Sequence, residues 1–319
     1  MQRPLEERSR HTWSGSHQSG DISLRICVVG AEGGDDYARV LSNFDALAYV
    51  YDFDLQKAKE FGDRYGVPYY TSLEEILKSR PDGIIIATPA YTHLSLVSSM
   101  IEYCKNILVA RPLGGSFREC KDIAAMVEKG KIMLIPGYLA RFNPIVKRVK
   151  EVIDSRRYGS LLMLELQSGS IGRMVNSSLM YDVTIDDVDT ALYMLTQPDV
   201  VFALNSMNDK AIAITLGFKD SVSCITSNSI GRFRRMNVIM ENSMVRCDLI
   251  RQEMYVEGED TVIKESVDPL VLALSNFIDV IDGKDKPRID IRDALMTEKV
   301  VDASLLSSRL GSQVYIHES

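Results

Sequence analysis

The first half of the chain repeats one pattern, and that pattern leaves few folds open. Short, unbroken apolar runs rich in β-branched residues alternate with charged, helix-forming stretches. The runs are Leu24–Gly30 (LRICVVG), Ala46–Tyr51, Gly83–Ala87 (GIIIA), Asn106–Val109 and Ile132–Pro136. Between them lie helical stretches at Leu55–Tyr65, Leu73–Lys78, Thr92–Tyr103 and Phe117–Lys129, the first stopped by Gly66-Val67-Pro68. A strand that is apolar throughout, rather than at every second position, is covered on both faces. Strand–helix alternation therefore predicts a parallel sheet with helices on both sides, a doubly wound Rossmann domain.

After about residue 145 the pattern changes. A helix over Ile145–Arg156 leads to a strand at Leu161–Gln167, and a second helix covers Asp182–Leu195. Strand-like runs then follow closely: Val200–Met207, Ala211–Phe218, Ser221–Ser227, Arg235–Met240, Met244–Leu249, Gln252–Val256 and a short Val262–Lys264. They predict a large, mainly antiparallel sheet, and the helices Pro269–Asp282 and Ile291–Arg309 close the chain. The fold class is thus α/β followed by α+β. Its expected division is a tail at 1–22, a dinucleotide-binding domain at 23–144, a substrate and oligomerisation domain at 145–290, and a closing helix and tail at 291–319. An open antiparallel sheet needs its second face covered, which points to a homodimer or homotetramer through that sheet.

Composition narrows the function. With 319 residues, 45% hydrophobic and 25% charged, the chain is ordinary globular material, long enough for two cores. Its net charge of −7, with Lys and Arg scattered, argues against a nucleic-acid partner. No apolar run approaches a membrane span. The first twenty residues are polar and lack the apolar segment of a signal peptide, so a mobile tail and a cytoplasmic protein are expected. The five cysteines, Cys27, Cys104, Cys120, Cys224 and Cys247, form no C-x-x-C pair and mostly sit in apolar runs, which reads as free thiols. Only His93 lies well inside the folded region, so neither a His-rich zinc site nor any other metal is expected.

Four segments in order resemble the Gfo/Idh/MocA family of nicotinamide-dependent sugar oxidoreductases. They are the ICVVG strand with Asp52 closing the next strand; Thr88–His93 (TPAYTH), followed by Arg111-Pro112-Leu113 where the family has Glu-Lys-Pro; Gly137–Pro144 (GYLARFNP); and Asp182–Asp189 (DVTIDDVD), like the family's Asp-x-x-x-His-x-x-Asp helix. The third is similar to a stretch found in members acting on nucleotide sugars. The resemblance implies hydride transfer between NAD, or less readily NADP, and a secondary alcohol of a sugar or nucleotide sugar.

Carried onto this chain, the cofactor would meet Gly30, Ala31, Gly33 and Gly34 at the first turn, Asp52 and Phe53 at the adenosine side, and Thr88, Pro89, His93, Arg111 and Pro112 nearer the nicotinamide. Glycines let backbone N–H groups approach a pyrophosphate at a helix N-terminus. Here Glu32 and Asp35 occupy two glycine positions, and Gly34 stands in for the third glycine of a loop one residue short. Like charges near a surface cost about 1–4 kcal/mol each unless the side chains swing outward or cap the following helix. Asp52 suits the ribose hydroxyls and NAD, or else is a turn residue. His93 either approaches the nicotinamide or caps its helix.

At the reacting centre the family's lysine becomes Arg111, which can stabilise an alkoxide but cannot shuttle a proton. The family's histidine becomes Asp186. An Arg111–Asp186 ion pair is expected, with Asp182 on the same helical face as Asp186 by its i, i+4 spacing. Tyr138 replaces another histidine and is a candidate for substrate binding or proton transfer. Arg141 and Asn143 orient substrate or tie the domains together. Asp187 and Asp189 read as solvated helix-face charges. Two functions are consistent with these residues: an oxidoreductase with substituted catalytic motifs, or a non-catalytic binding or regulatory protein that keeps the fold. A lyase or isomerase using bound NAD is a third, and it too needs a proton acceptor.

Overall fold

Six parallel strands form the first sheet of this computed structural model, which describes residues 24–171, 178–206, 208–259 and 262–316. The expected N-terminal tail, the last residue of the Val200–Met207 run and the C-terminal three residues lie outside them. The strands are β1 (Ile26–Val29), β2 (Leu47–Tyr51), β3 (Tyr69–Tyr70), β4 (Gly83–Ile86), β5 (Asn106–Ala110) and β6 (Met133–Gly137), in the order β3-β2-β1-β4-β5-β6. This order reverses between β1 and β4, which opens a crevice at their C-terminal ends. Every residue of β1 and β4 is buried. The cover comes from α1 (Ala31–Asn43), α2 (Leu55–Tyr65), α3 (Leu73–Ser79), α4 (His93–Met100) and α5 (Phe117–Gly130). Local signals set the ends of α2: Asp54 accepts the N–H of Gln56 and Lys57, and Gly66 takes the left-handed conformation at φ 68° that stops it.

The chain enters its second part through α6 (Pro144–Asp154), where Pro144 opens the helix and Asn143 caps it. β7 (Leu161–Gly169) follows, then a π turn at Met180–Thr184 running into α7 (Ile185–Leu195). The remaining strands are β8 (Val200–Asn205), β9 (Ala211–Gly217), β10 (Val222–Asn228), β11 (Phe233–Met240), β12 (Met244–Asp248), β13 (Glu253–Val256), β14 (Val262–Lys264) and β15 (Val314–Tyr315). Among the described residues they form one sheet in the order β14-β13-β12-β11-β7-β10-β9-β8-β15. Its pairs are antiparallel except β7 with β10. β9 alternates buried and exposed residues strictly, as a sheet with one open face requires.

The last two helices do not stay with the second sheet. α8 (Pro269–Ile281) places Leu270, Leu274 and Phe277 in one apolar cluster with Ile26, Val28, Ile85 and Leu108, so it covers the first sheet. α9 (Ile291–Leu310) packs against α5, α7 and β8 and is therefore buried between the two halves. The cysteines are free thiols, four of them buried and Cys224 partly so.

Candidate active site

The dinucleotide turn begins where β1 meets α1 with only Gly30 between them, at φ 99°. A side chain at Gly30 would put its Cβ 2.7 Å from Thr88 Cγ2, and one at Gly33 would sit 2.1 Å from the Ala87 carbonyl oxygen. These glycines let the first turn of α1 lie directly on the end of β4. Gly34 takes the packing role of a third glycine, since a Cβ there would fall 2.5 Å from Val28 Cγ1. Beside this turn is a cavity of about 400 Å³, lined among others by Gly30, Glu32, Asp52, Phe53, Lys57, Thr88 and Pro89. Phe53 stands at its edge, 81% exposed.

Asp52 is both a turn residue and a cavity wall. Its Oδ2 accepts the Ala31 N–H at 2.9 Å, and its Oδ1 accepts the Asp54 N–H at 3.0 Å. The acidic loop residues are paired: Glu32 with Lys57 at 3.5 Å, Asp35 with Arg64, and Asp36 with Arg39 at 3.0 Å. Tyr37, which follows the loop, is buried, and burial pushes its hydroxyl up to about 12 while nearby Arg111 opposes the shift.

His93 does not cap its helix, whose N-cap position is held by Thr92. Its ring is fully buried, with Nε2 2.8 Å from the Thr88 carbonyl and Nδ1 3.1 Å from that of Pro112 and 3.3 Å from that of Leu113. It cross-links the turn after β4 to the Arg111–Leu113 segment. Burial lowers its pKa, although the three carbonyls pull the other way.

The expected Arg111–Asp186 pair forms, Nε to Oδ1, at 2.5 Å. Arg111 also donates through Nη1 to the Asp182 carbonyl at 3.2 Å. Asp182 lies in the π turn ahead of α7, where its carboxylate accepts the Ser178 N–H at 3.3 Å. Asp186 meets a second guanidinium, that of Arg234 on β11, at 3.2 Å. Arg234 reaches on to Asp187 at 3.5 Å, so Arg111, Asp186, Arg234 and Asp187 form a string of alternating charge.

Asp187 and Asp189 are not solvated: they are 2% and 0% exposed. The reason is that α7 is enclosed by the second sheet and α9, and its charges are neutralised by arginines distant in sequence. Burial raises the Asp187 carboxyl to about 6 against the opposing pull of Arg234. Asp189 is held bidentately by Arg141, with Nε at 2.9 Å and Nη2 at 2.8 Å, and accepts the Thr297 hydroxyl at 3.1 Å. Arg141 also pairs with Asp293 at 2.9 Å. Asn143 caps α6 and donates to the Leu249 carbonyl at 3.1 Å. Of the two roles open to Arg141 and Asn143, these contacts are those of ties at the domain junction.

Tyr138 is fully buried and donates to Glu298 Oε1 at 3.1 Å. The Leu113 N–H donates to the same oxygen at 2.8 Å. Burial raises Glu298 to about 7. From α9, Glu298 thus fixes both the segment after Arg111 and the tyrosine that follows β6. Sequence reasoning missed Glu298 and Arg234. Each is one charge in an ordinary helix or strand, and only the fold shows that it is buried.

Residues 24–138 match the model of an oxidoreductase family with an NAD-binding Rossmann fold. The inositol 2-dehydrogenase of Rhizobium meliloti (strain 1021) is 26% identical over 86% of this chain and 84% of its own length. That of Rhodococcus jostii (strain RHA1) is 25% identical over 61% of this chain, a match spanning 59% of the Rhodococcus protein. Among solved structures, GenD2 from gentamicin A biosynthesis in complex with NAD superimposes with a TM-score of 0.83 at 20% identity, covering 96% of this chain and 99% of that one. The UDP-N-acetylglucosamine 3-dehydrogenase of Acidithiobacillus ferrooxidans gives 0.81 at 17% identity, covering 92% and 98%. At these identities the structural likeness concerns the fold.

Proposed function

Because residues 24–138 match an oxidoreductase family with an NAD-binding Rossmann fold, we propose that this chain is an NAD-dependent oxidoreductase of the Gfo/Idh/MocA type acting on a secondary alcohol of a sugar or nucleotide sugar. The observation that carries the reading is the cavity at the C-terminal ends of β1 and β4, with the glycine-packed turn on one wall and Asp52 on another. Relatives named for inositol and for UDP-N-acetylglucosamine support the substrate class. Asp52 favours NAD over NADP, because a carboxylate accepts ribose hydroxyls and repels a 2′-phosphate. Gly30, Gly33, Phe53, Thr88 and Pro89 complete the binding surface, which Ala31, Gly34, His93 and Pro112 support from behind. NAD supplies the hydride acceptor.

The chain's own residues handle the alcohol. Arg111, 28% exposed, offers its guanidinium to the developing alkoxide. Asp186 lies directly behind it and accepts the hydroxyl proton, with Arg234 and Asp187 setting its charge balance. Asp182 orients the substrate through the π turn that also holds Arg111. Tyr138 acts at one remove, through Glu298 and the Leu113 backbone. The test is a screen of polyols and nucleotide sugars for NAD reduction. Turnover that Asp186→Asn abolishes supports the assignment, and turnover that Asp186→Asn spares removes Asp186 from it.

A second reading has its own observation. Asp186 is only 4% exposed and is contacted by two guanidiniums, which leaves a substrate hydroxyl little access to it. A protein that binds NAD and yields no turnover across the screen would be a non-catalytic binder built on the same cavity. For partners, exposed Phe202 and Leu204 on β8 suit a homodimer or homotetramer through the second sheet. Among the described residues, no helix is long and apolar enough to cross a membrane.

A further inference from the structure

Glu32 stands where close approach of backbone to a pyrophosphate calls for glycine. It lines the same cavity as Asp52 and Thr88, which puts an acidic residue at the wall of the space in which the cofactor's phosphates would lie. Two negative groups so placed repel, and the NAD reading needs something to offset that repulsion. The structure holds a candidate in Lys57. It too lines the cavity, and its Nζ is 3.5 Å from Glu32 Oε2. Its backbone is anchored: Asp54 accepts the Lys57 N–H as cap of α2, and Asp52 bonds both the Asp54 N–H and the Ala31 N–H of α1. Asp52 therefore joins the N-termini of α1 and α2, and the Glu32–Lys57 pair bridges the same two ends at the cavity wall. Both side chains are about half exposed, Glu32 at 44% and Lys57 at 47%, so neither is locked in place by packing.

We propose that Lys57 is the counter-ion that makes the Glu32-bearing turn compatible with a dinucleotide: it neutralises Glu32 and screens the pyrophosphate from it. The proposal rests on the NAD reading above. Calorimetric titration with NAD of the unaltered protein, Lys57→Met, Glu32→Gln and the double variant tests it. Lys57→Met should weaken NAD about tenfold, the equivalent of ~1.4 kcal/mol. Glu32→Gln should tighten it severalfold, and in the Glu32→Gln background the loss from Lys57→Met should shrink to within about threefold. Apo-protein thermal midpoints should stay together, since the pair is exposed. Equal losses in both backgrounds overturn the counter-ion role, because Lys57 would then act on the cofactor without regard to Glu32. A loss confined to NADP also overturns it and assigns Lys57 to a 2′-phosphate. No NAD binding by the unaltered protein overturns the dinucleotide reading and this proposal together. NAD binding that Lys57→Met leaves unchanged overturns the role of Lys57 alone.

Discussion

Two regions of this molecule are dense in carboxylates, the dinucleotide turn and α7, and they accommodate the charge in opposite ways. At the dinucleotide turn the carboxylates of Glu32, Asp35 and Asp36 lie 44–74% exposed and pair with single cations on the surface. Along α7 the carboxylates of Asp186, Asp187 and Asp189 are 0–6% exposed and are chained by Arg111, Arg234 and Arg141. Water can replace a lost partner in the first region and cannot in the second. A carboxylate is therefore cheap to hold at the turn and structurally binding along α7.

The sharpest way to break this contrast is Arg141→Met. Among the described residues it leaves the buried Asp189 carboxylate with the Thr297 hydroxyl as its remaining hydrogen-bond partner. Denaturant unfolding should show a loss of about 3–5 kcal/mol, the usual consequence of removing one member of a buried pair. A loss below about 1 kcal/mol would place Asp189 in the same class as the exposed pairs.

Glu298 gives the next largest effect, and its sign follows from its environment. Burial raises its carboxyl from 4.5 to about 7, so between these values the folded state holds a proton that the unfolded state has released. The resulting stabilisation is fully present below about pH 4.5 and is lost as pH rises through about 7, a difference of roughly 3 kcal/mol. Glu298→Gln should flatten that part of the stability profile, read by denaturation at a series of pH values. An unchanged profile would show that Glu298 is not the group responsible.

Arg111→Met should lower turnover about a hundredfold, as loss of one donor to an oxyanion does, with the KM for NAD little changed. A rise in that KM without loss of turnover would move Arg111 from the reacting atoms to the cofactor. At the small end, Arg64→Met releases Asp35 on the surface and should leave the denaturation midpoint unchanged. A clear fall would mean that the turn depends on its salt bridges.

The contrast also separates what was legible in the sequence from what was not. β1 and β4 were plain because burial on both faces leaves unbroken apolar runs, and the Arg111–Asp186 pair was plain because two substitutions matched in charge. The buried state of Asp187 and Asp189 was not. Their partners Arg234 and Arg141 lie 47 and 48 residues away, so local spacing shows only acids on a helix. His93 was recognisable as important, but its role as a cross-link between two loops depends on where Pro112 and Leu113 return.

Calorimetric titration of the unaltered protein with NAD and with NADP, repeated on Asp52→Ala, tests the central claim most directly. The account predicts micromolar binding of NAD, weaker binding of NADP, and loss of that preference in Asp52→Ala. No binding of either dinucleotide at millimolar concentration would contradict it, and the glycine-packed cavity would then serve some ligand other than a nicotinamide cofactor.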